Sequence, residues 1–419
     1  MKIVMMGLGY IGLPTAVLLS ERGHQIHGVD INEVAVDQLN KGRLTIEEPN
    51  LEQGFLKALI SKSLTISTTP TLGDVFMIAV PTPNKKNKLL SCDVSYLIAA
   101  INSIIPYIRK GNSVIIESTI APRTMSTIVA PLLEKTGLSI GKELFVAHCP
   151  ERVLPGNMMM ELKQNTRIIG GMTNECSKKI KELYKTFVEG EIVQTSAEVA
   201  ELTKLMENTY RDVNIALANE LVKVGTELEI NALEVINLAN KHPRVSIHSP
   251  GPGVGGHCLA VDPYFISSTV PEKTPLIQQA RKINSKMPET IVEMVNSLMK
   301  TAPNNKITIL GLAYKGNIDD IRESPAIDIV ERLKNEGYEL CLYDQHVEVS
   351  LENKVDNIVS ATKDSSLLLI LTDHSEYKNI SEMTKNMSRE LIFDTKNIVN
   401  KFGKTATYLN LGNVFSFDK

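Results

Sequence analysis

The stretch SPGPGVGGHCLAVDP, Ser249 to Pro263, places four glycines and two prolines in the seven residues from Pro250 to Gly256. Such a run supports no regular element, so it reads as a shaped loop carrying Cys258 and Asp262. A thiol presented on a loop of this kind becomes a nucleophile when a nearby cation lowers its pKa from about 8.5. The other reading of Cys258 is a small apolar side chain filling a gap. Lys204, Asn208 and Arg211 are spaced i, i+4 and i+7, which on a helix lines up an amine, an amide and a guanidinium. That stripe is either a solvated face or a set of groups able to orient a water and stabilise an oxyanion beside a thiol. In CPERVLPG, Cys149 to Gly156, Glu151 and Arg152 follow an apolar run and form either a surface ion pair or part of a site.

A second constellation lies at the start of the chain. Gly7, Gly9 and Gly12 form G-x-G-x-x-G directly after the strand-like KIVMM, with Tyr10 and Ile11 inside the motif. Glycine is needed there because a backbone must come close to a pyrophosphate at the mouth of a helix. Asp30, eighteen residues beyond Gly12, ends the next strand-like run. A carboxylate there accepts a hydrogen bond from a ribose 2′-hydroxyl and repels a 2′-phosphate, which favours NAD over NADP. The alternative is a tight turn serving helix packing alone. Thr82 and Thr119 follow two further strand-like runs, at the edge where ligands of doubly wound sheets lie; each is otherwise a turn or capping hydroxyl.

These residues need elements to hold them. Short β-branched runs (KIVMM, QIHGVD, LTIST, DVFMIAV, NSVIIES, LFVAHCP) alternate with amphipathic stretches through the first third, which predicts βαβ units and a parallel sheet buried on both faces. The pattern changes near Ser196. Ala197 to Ile230 is helical in period and free of proline, a second helical run ends near Lys241, and a third helix is expected from about Pro275 to Lys300. Pro303 and the following asparagine pair read as a linker. Beyond it KITILGLAYKG, Lys306 to Gly316, echoes KIVMMGLGYIG, and its second strand ends at Asp344 as the first echo ends at Asp30. The later copy has lost a turn glycine to Ala313 and gained the insertion NIDDIRESPA, which implies a different nucleotide. Strands at Leu367 to Thr372 and Leu391 to Asp394 complete that half. The expected fold is α/β, with two Rossmann-like doubly wound domains, 1–195 and 303–419, joined by a central helical domain, 196–302, that carries the cysteine loop.

Bulk properties restrict the function. A chain of 419 residues exceeds what one hydrophobic core serves, so two or three domains are expected. The net charge of -3 offers no general attraction to nucleic acid or an anionic membrane, so phosphate binding must be local. Apolar runs are too short to cross a bilayer, and Met1 leads into Ile3 to Met6 without a basic segment, so a cytoplasmic protein is expected. Five cysteines, odd in number and without a C-x-x-C pair, suggest neither a disulfide framework nor a metal site.

Taken together, GLGYIG, ESTIAP, CPERVLPG, AELTKLMENTYRDVNIALANE, KHPRV, GPGVGGHCLAVDP and GLAYKGNIDDIRESPA resemble the UDP-glucose and GDP-mannose dehydrogenase family, in its order and over nearly the whole chain. Val261 departs from the UDP-glucose members, which usually carry lysine before the aspartate, so a sugar other than glucose is expected. The resemblance implies two successive oxidations of carbon six of a UDP-sugar by NAD, through a thiohemiacetal and a thioester on Cys258. It implies Lys204 as acid/base or oxyanion partner, and Asn208, Asp262, Glu151 and Thr119 around the hydrolytic water. It further implies sugar-nucleotide contacts from Arg152, Val153, Arg211, His242, Arg244 and Gly255, with His242 and Arg244 reaching across a dimer of the central helices. Tyr314, Lys315 and Lys396 fall on the UDP side, and Arg322 approaches NAD. The supply of uronic acids to bacterial surface polysaccharides is the implied role. A single-step hydroxyacid dehydrogenase, or a silent nucleotide-binding scaffold, would need no thiol.

Overall fold

The computed structural model describes residues 1–46, 48–153 and 156–418; Leu154 and Pro155 of the CPERVLPG motif lie outside it. Two compact units divide the chain, Met1–Glu207 with Tyr264–Pro271, and Asn208–Pro263 with Glu272–Lys419.

The first unit is built on β1 (Lys2–Met6), β2 (Gln25–Val29), β3 (Leu64–Ser67), β4 (Val75–Ile78), β5 (Ser113–Ile116), β6 (Phe145–His148), β7 (Arg167–Gly171) and β8 (Ile192–Ser196). They order as β3-β2-β1-β4-β5-β6-β7-β8. Every pairing is parallel except β6 with β7, where Ala147 lies opposite Gly171. Continuous apolar runs such as VFMI and SVII are buried along their whole length, as strands covered on both faces must be. Helix Gly12–Glu21 is buried from Gly12 to Ser20 and packs Leu13, Val17 and Leu18 into a core with Ile3, Met5, Phe55 and Met77.

The second unit carries β9 (Lys306–Leu310), β10 (Glu339–Tyr343), β11 (Leu367–Ile370), β12 (Leu391–Asp394) and β13 (Thr407–Asn410), all parallel in the order β10-β9-β11-β12-β13. Both sheets switch direction of winding beside their first strand, the crevice in which open α/β sheets bind ligands. The expected two Rossmann-like domains and helical middle are therefore present.

The middle is dominated by helix Ala197–Leu228, thirty-two residues long, which starts in the first unit and ends in the second. Helices Ala232–Ala239 and Pro275–Met299 follow, the latter with Pro288 in its interior. A buried polar knot ties the long helix to Pro275–Met299. Arg281 Nη1 donates to Asp212 Oδ1 at 2.6 Å, Asn284 Nδ2 donates to the Asp212 carbonyl and carboxylate at 2.9 and 2.8 Å, and Asn219 Nδ2 donates to Asn284 Oδ1 at 2.9 Å. Burial raises the Asp212 pKa against the pull of Arg281, so its charge depends on these partners. Among the described residues no helix is long and apolar enough to cross a membrane.

Three strands, β7, β8 and β13, were not anticipated. β7 and β8 lie in a stretch without alternation, and the edge strand β8 is mostly exposed, so its sequence IVQTS carries little apolar signal. The cysteine loop is also shorter than expected. Asp262 and Pro263 open the helix Asp262–Thr269, and proline is at home in a first helical turn because its missing N–H needs no partner there.

Candidate functional site

In the first unit the glycine turn closes β1. Gly7 has φ +92°, and a Cβ on it would lie 2.4 Å from the Ala79 carbonyl oxygen. A Cβ on Gly12 would lie 1.9 Å from the Gly7 carbonyl oxygen, so these two glycines serve the turn and the approach of the helix. Gly9 differs: nothing lies within 4 Å of where its Cβ would be. The space is open and stands at a helix mouth, which suits a pyrophosphate held by backbone N–H groups. Tyr10 and Ile11 are half-buried beside it.

Asp30 directly follows β2 and accepts from Leu8 N–H at 3.0 Å and from Asn32 N–H at 3.0 Å. Thr82 Oγ1 donates to the Thr119 carbonyl at 2.6 Å, tying the loops after β4 and β5 into one edge. Gly7, Gly9, Gly12, Asp30, Thr82 and Thr119 thus all follow the carboxyl ends of β1, β2, β4 and β5, and these residues fit a bound dinucleotide.

Beyond β6 the same edge turns ionic. Glu151 is buried and pairs through Oε2 with Arg167 Nη1, while its Oε1 accepts from Arg152 N–H at 2.6 Å. Arg167 also holds Glu117, which accepts from Tyr184 O–H at 2.7 Å. Arg152 faces away to a bidentate pair with Glu207, at 3.1 and 2.7 Å, and donates to the Thr166 carbonyl at 3.0 Å. Val153 is half-buried against the apolar core.

Lys204 is half-buried on the long helix near His148, whose pKa is lowered to about 3 by burial first and then by the charges of Arg167 and Lys204, so the imidazole is neutral. One turn earlier Glu201 accepts from Arg123 and Met125 N–H groups, both at 2.7 Å, and fixes the chain just after Thr119. Burial raises its pKa to about 7 despite those donors.

In the second unit the glycines of the cysteine loop are explained by close approach. A Cβ on Gly255 would lie 2.4 Å from the Glu323 carbonyl oxygen and 2.8 Å from Tyr314 Cβ. On Gly256, φ +82°, it would lie 2.6 Å from the Tyr314 ring. The loop therefore lies flat on the inserted NIDDIRESPA segment, and Gly256 N–H donates to the Arg322 carbonyl at 3.2 Å. Cys258 is exposed at the loop's end, whereas Cys92, Cys149 and Cys176 are buried. The Cys258 carbonyl accepts from the Val261 and Asp262 N–H groups at 3.0 and 2.8 Å, which places the thiol one turn ahead of Asp262. Asp262 Oδ2 in turn accepts from Asn208 Nδ2 at 2.6 Å. Asn208 is buried, so its part of the stripe is not a solvated face; Arg211 is exposed.

The remaining candidates are spread around this unit. His242 and Arg244 are exposed on one turn, linked by Arg244 N–H to His242 Nδ1 at 3.3 Å. Tyr314 and Lys315 follow β9, and Lys396 follows β12, with its ammonium beside Gly251 and 3.8 Å from Asp373. A cavity of about 110 Å³ is lined by Leu233, Ile236, Pro250, Thr395, Lys396 and Asn397. Arg322 is exposed and forks onto Asp320, at 2.6 Å from Nη2. Asp344, the counterpart of Asp30, accepts from Leu312 and Ala313 N–H groups at 2.7 and 3.2 Å and from His374 Nε2 at 3.1 Å. Burial opposes its charge, yet His374 and these N–H groups hold its pKa down to about 2.

Sequence reasoning did not single out Arg167, Glu117, Tyr184 or the Asp212 knot. A charged residue opening the short apolar run RIIGG, and a glutamate directly after SVII, were the available signals.

With this geometry the chain falls in the class of NAD-dependent UDP-sugar dehydrogenases. It belongs to the UDP-glucose/GDP-mannose dehydrogenase family, whose NAD binding domain matches residues 1–188, central domain 198–286 and UDP binding domain 308–401. It is 44% identical to a UDP-N-acetyl-D-mannosamine dehydrogenase of Methanococcus vannielii over 95% of this chain and 93% of that protein. A UDP-N-acetyl-D-mannosamine dehydrogenase of Escherichia coli is 41% identical over 94% of this chain and 98% of its own length. The structure of the UDP-N-acetyl-mannosamine dehydrogenase Cap5O from Staphylococcus aureus matches with a TM-score of 0.93 and 51% identity, covering 100% of both chains.

Proposed function

We propose that this enzyme oxidises UDP-N-acetyl-D-mannosamine at carbon six to the uronate, by way of a covalent adduct on Cys258, and so supplies bacterial surface polysaccharide synthesis. The observation that carries the reading is the exposed Cys258 thiol one turn ahead of Asp262, whose carboxylate Asn208 holds. The sugar is argued from the relatives bearing that name, and from Val261 in place of the lysine usual in UDP-glucose enzymes.

On this reading residues 1–195 hold NAD through Gly7, Gly9, Tyr10, Ile11, Gly12, Asp30, Thr82 and Thr119, with Arg322 nearby. Residues 303–419 hold UDP, with Tyr314, Lys315 and Lys396 about the diphosphate, and 196–302 carry the thiol loop. Bound NAD supplies the two-electron acceptor for each oxidation, so one alcohol and one water give one carboxylate, two NADH and three protons. Cys258 attacks the aldehyde carbon, and its thiol proton passes to the new hydroxyl. Lys204 stabilises charge on the sugar oxygen during both oxidations. Asp262, oriented by Asn208, takes a proton from the water that cleaves the thioester, and Glu151 and Thr119 hold that water. Arg152, Val153, Arg211 and Gly255 contact the sugar nucleotide. His242 and Arg244 do so from a second copy, in a homodimer formed along the exposed residues Tyr210, Leu217 and Val224, spaced seven apart.

The rival is UDP-N-acetyl-D-glucosamine, which needs the same machinery and differs at one carbon. Purified enzyme is incubated with NAD and the UDP-linked N-acetylated mannosamine, glucosamine and galactosamine, and with UDP-glucose. The expected result is two NADH per UDP-N-acetyl-D-mannosamine and its uronate as product, with no acid formed by Cys258→Ser. One NADH per sugar together with an active Cys258→Ser enzyme would refute the covalent route.

A further inference from the structure

The proposed route has Glu151 hold the hydrolytic water, but a carboxylate buried at a strand end needs something to aim it. Three side chains that no step above uses surround it. Arg167 opens β7, Glu117 follows β5, and Tyr184 closes the helix Asn174–Tyr184; each is less than 5% exposed. Arg167 spreads its fork, Nη1 on Glu151 and Nη2 on Glu117, with Nη2 also 3.3 Å from the Cys149 carbonyl. The guanidinium lies over the Tyr184 ring, 4.8 Å from its centre, and the Tyr184 hydroxyl donates to the same Glu117 oxygen that Arg167 holds. Glu117 Oε2 is buried without a hydrogen-bond partner.

Two carboxylates share one guanidinium in a site shut off from water. Arginine keeps its charge at any accessible pH, so the cluster is one negative charge in excess unless one carboxylate takes a proton. We propose that Arg167, anchored by Glu117 and Tyr184, is a positioning residue that aims the Glu151 carboxylate. This rests on the role given to Glu151 above. Glu117 holds the second arm of the guanidinium fork and Tyr184 holds Glu117, so Arg167 is kept from swinging away from Glu151.

The surrounding groups leave Arg167 to these two acids. Burial raises Glu117 to about 6, against the pull of Arg167 and Tyr184. Burial pushes the Cys149 thiol up to about 12 and raises Tyr184 as well, so both stay protonated. His148 is held neutral by burial, Arg167 and Lys204.

The test is kcat, with KM for NAD and for the UDP-sugar measured alongside. Arg167→Lys keeps the charge but loses the fork that holds Glu151 and Glu117 together. It should lower kcat at least about tenfold, with both KM values within about twofold of wild type. Tyr184→Phe deletes one donor to Glu117 and should lower kcat the same way by less. In a Glu151→Gln background neither change should lower kcat further. A wild-type kcat in Arg167→Lys, or in Tyr184→Phe should the first variant not fold, overturns the inference while Glu151→Gln remains slow. If Glu151→Gln is itself as fast as wild type, the role given to Glu151 falls, and this inference with it.

Discussion

Gly9 and Gly12 are three residues apart in one motif, yet the structure requires opposite outcomes when each becomes alanine. A Cβ on Gly12 would sit 1.9 Å from the Gly7 carbonyl oxygen and 3.0 Å from its carbon, both backbone atoms of a turn that cannot yield without opening. Forcing a methyl into so tight a site costs about 1–3 kcal/mol, or more where backbone must move. In a unit of this size that lowers Tm by about 2–12 °C. Gly9 has nothing within 4 Å and no positive φ, so Gly9→Ala should leave Tm unchanged or raise it slightly, because alanine loses less chain entropy on folding. Its methyl instead enters the space assigned to the cofactor pyrophosphate, and NAD affinity should fall at least about tenfold, a loss of roughly 1.4 kcal/mol. Scanning calorimetry of the two apo variants and titration calorimetry with NAD separate the effects. Wild-type NAD affinity in Gly9→Ala, or an early melt of that variant, would refute the assignment of the turn.

Three further outcomes follow from the geometry. Arg281→Met strips Asp212 of its buried counter-charge and should cost about 3–5 kcal/mol in denaturant unfolding, whereas a loss under 1 kcal/mol would mean the knot is not needed. Asp344 has its pKa held near 2 in the folded chain, below its unfolded value, so the stability it contributes is present above about pH 4 and disappears as pH falls toward 2. Asp344→Asn should flatten that acid limb when circular dichroism follows the unfolding. Leu217→Lys, at an exposed position on the long helix, should shift the elution and scattering mass of the proposed dimer to that of a monomer, without lowering the helical signal.

How much of this was legible in the sequence depended on how local the signal was. KIVMM and KITIL announced their strands because an apolar run ends in a glycine turn, and Ala197–Leu228 announced itself by its period and its freedom from proline. β8 did not, because an edge strand reading IVQTS buries little, and β7 did not, because its antiparallel return interrupts the βαβ rhythm. At the site, Cys258, Asn208 and Asp262 could be picked out one by one, and the hydrogen bond from Asn208 to Asp262 spans 54 residues that no spacing rule covers. Glu151 was visible as a residue, but its partner Arg167 stands on a strand that was not foreseen, sixteen positions later. Glycines were read correctly as a shaped loop; that their flatness serves the Tyr314 ring and the Glu323 backbone needed coordinates.

Pro288, inside the helix Pro275–Met299, has no N–H to offer the carbonyl four residues back, which is that of Asn284. The Asn284 oxygen thereby released is the one that a Cβ on Gly253 would approach to 3.5 Å, while the Asn284 side chain spans Asp212 and Asn219. A defect in one helix thus becomes a joint shared by the interior and the loop that carries the sulfur. Returning an N–H to the Asn284 carbonyl with Pro288→Ala should be felt first as altered loop geometry rather than lost cohesion, so Pro288 and Gly253 should behave as an epistatic pair.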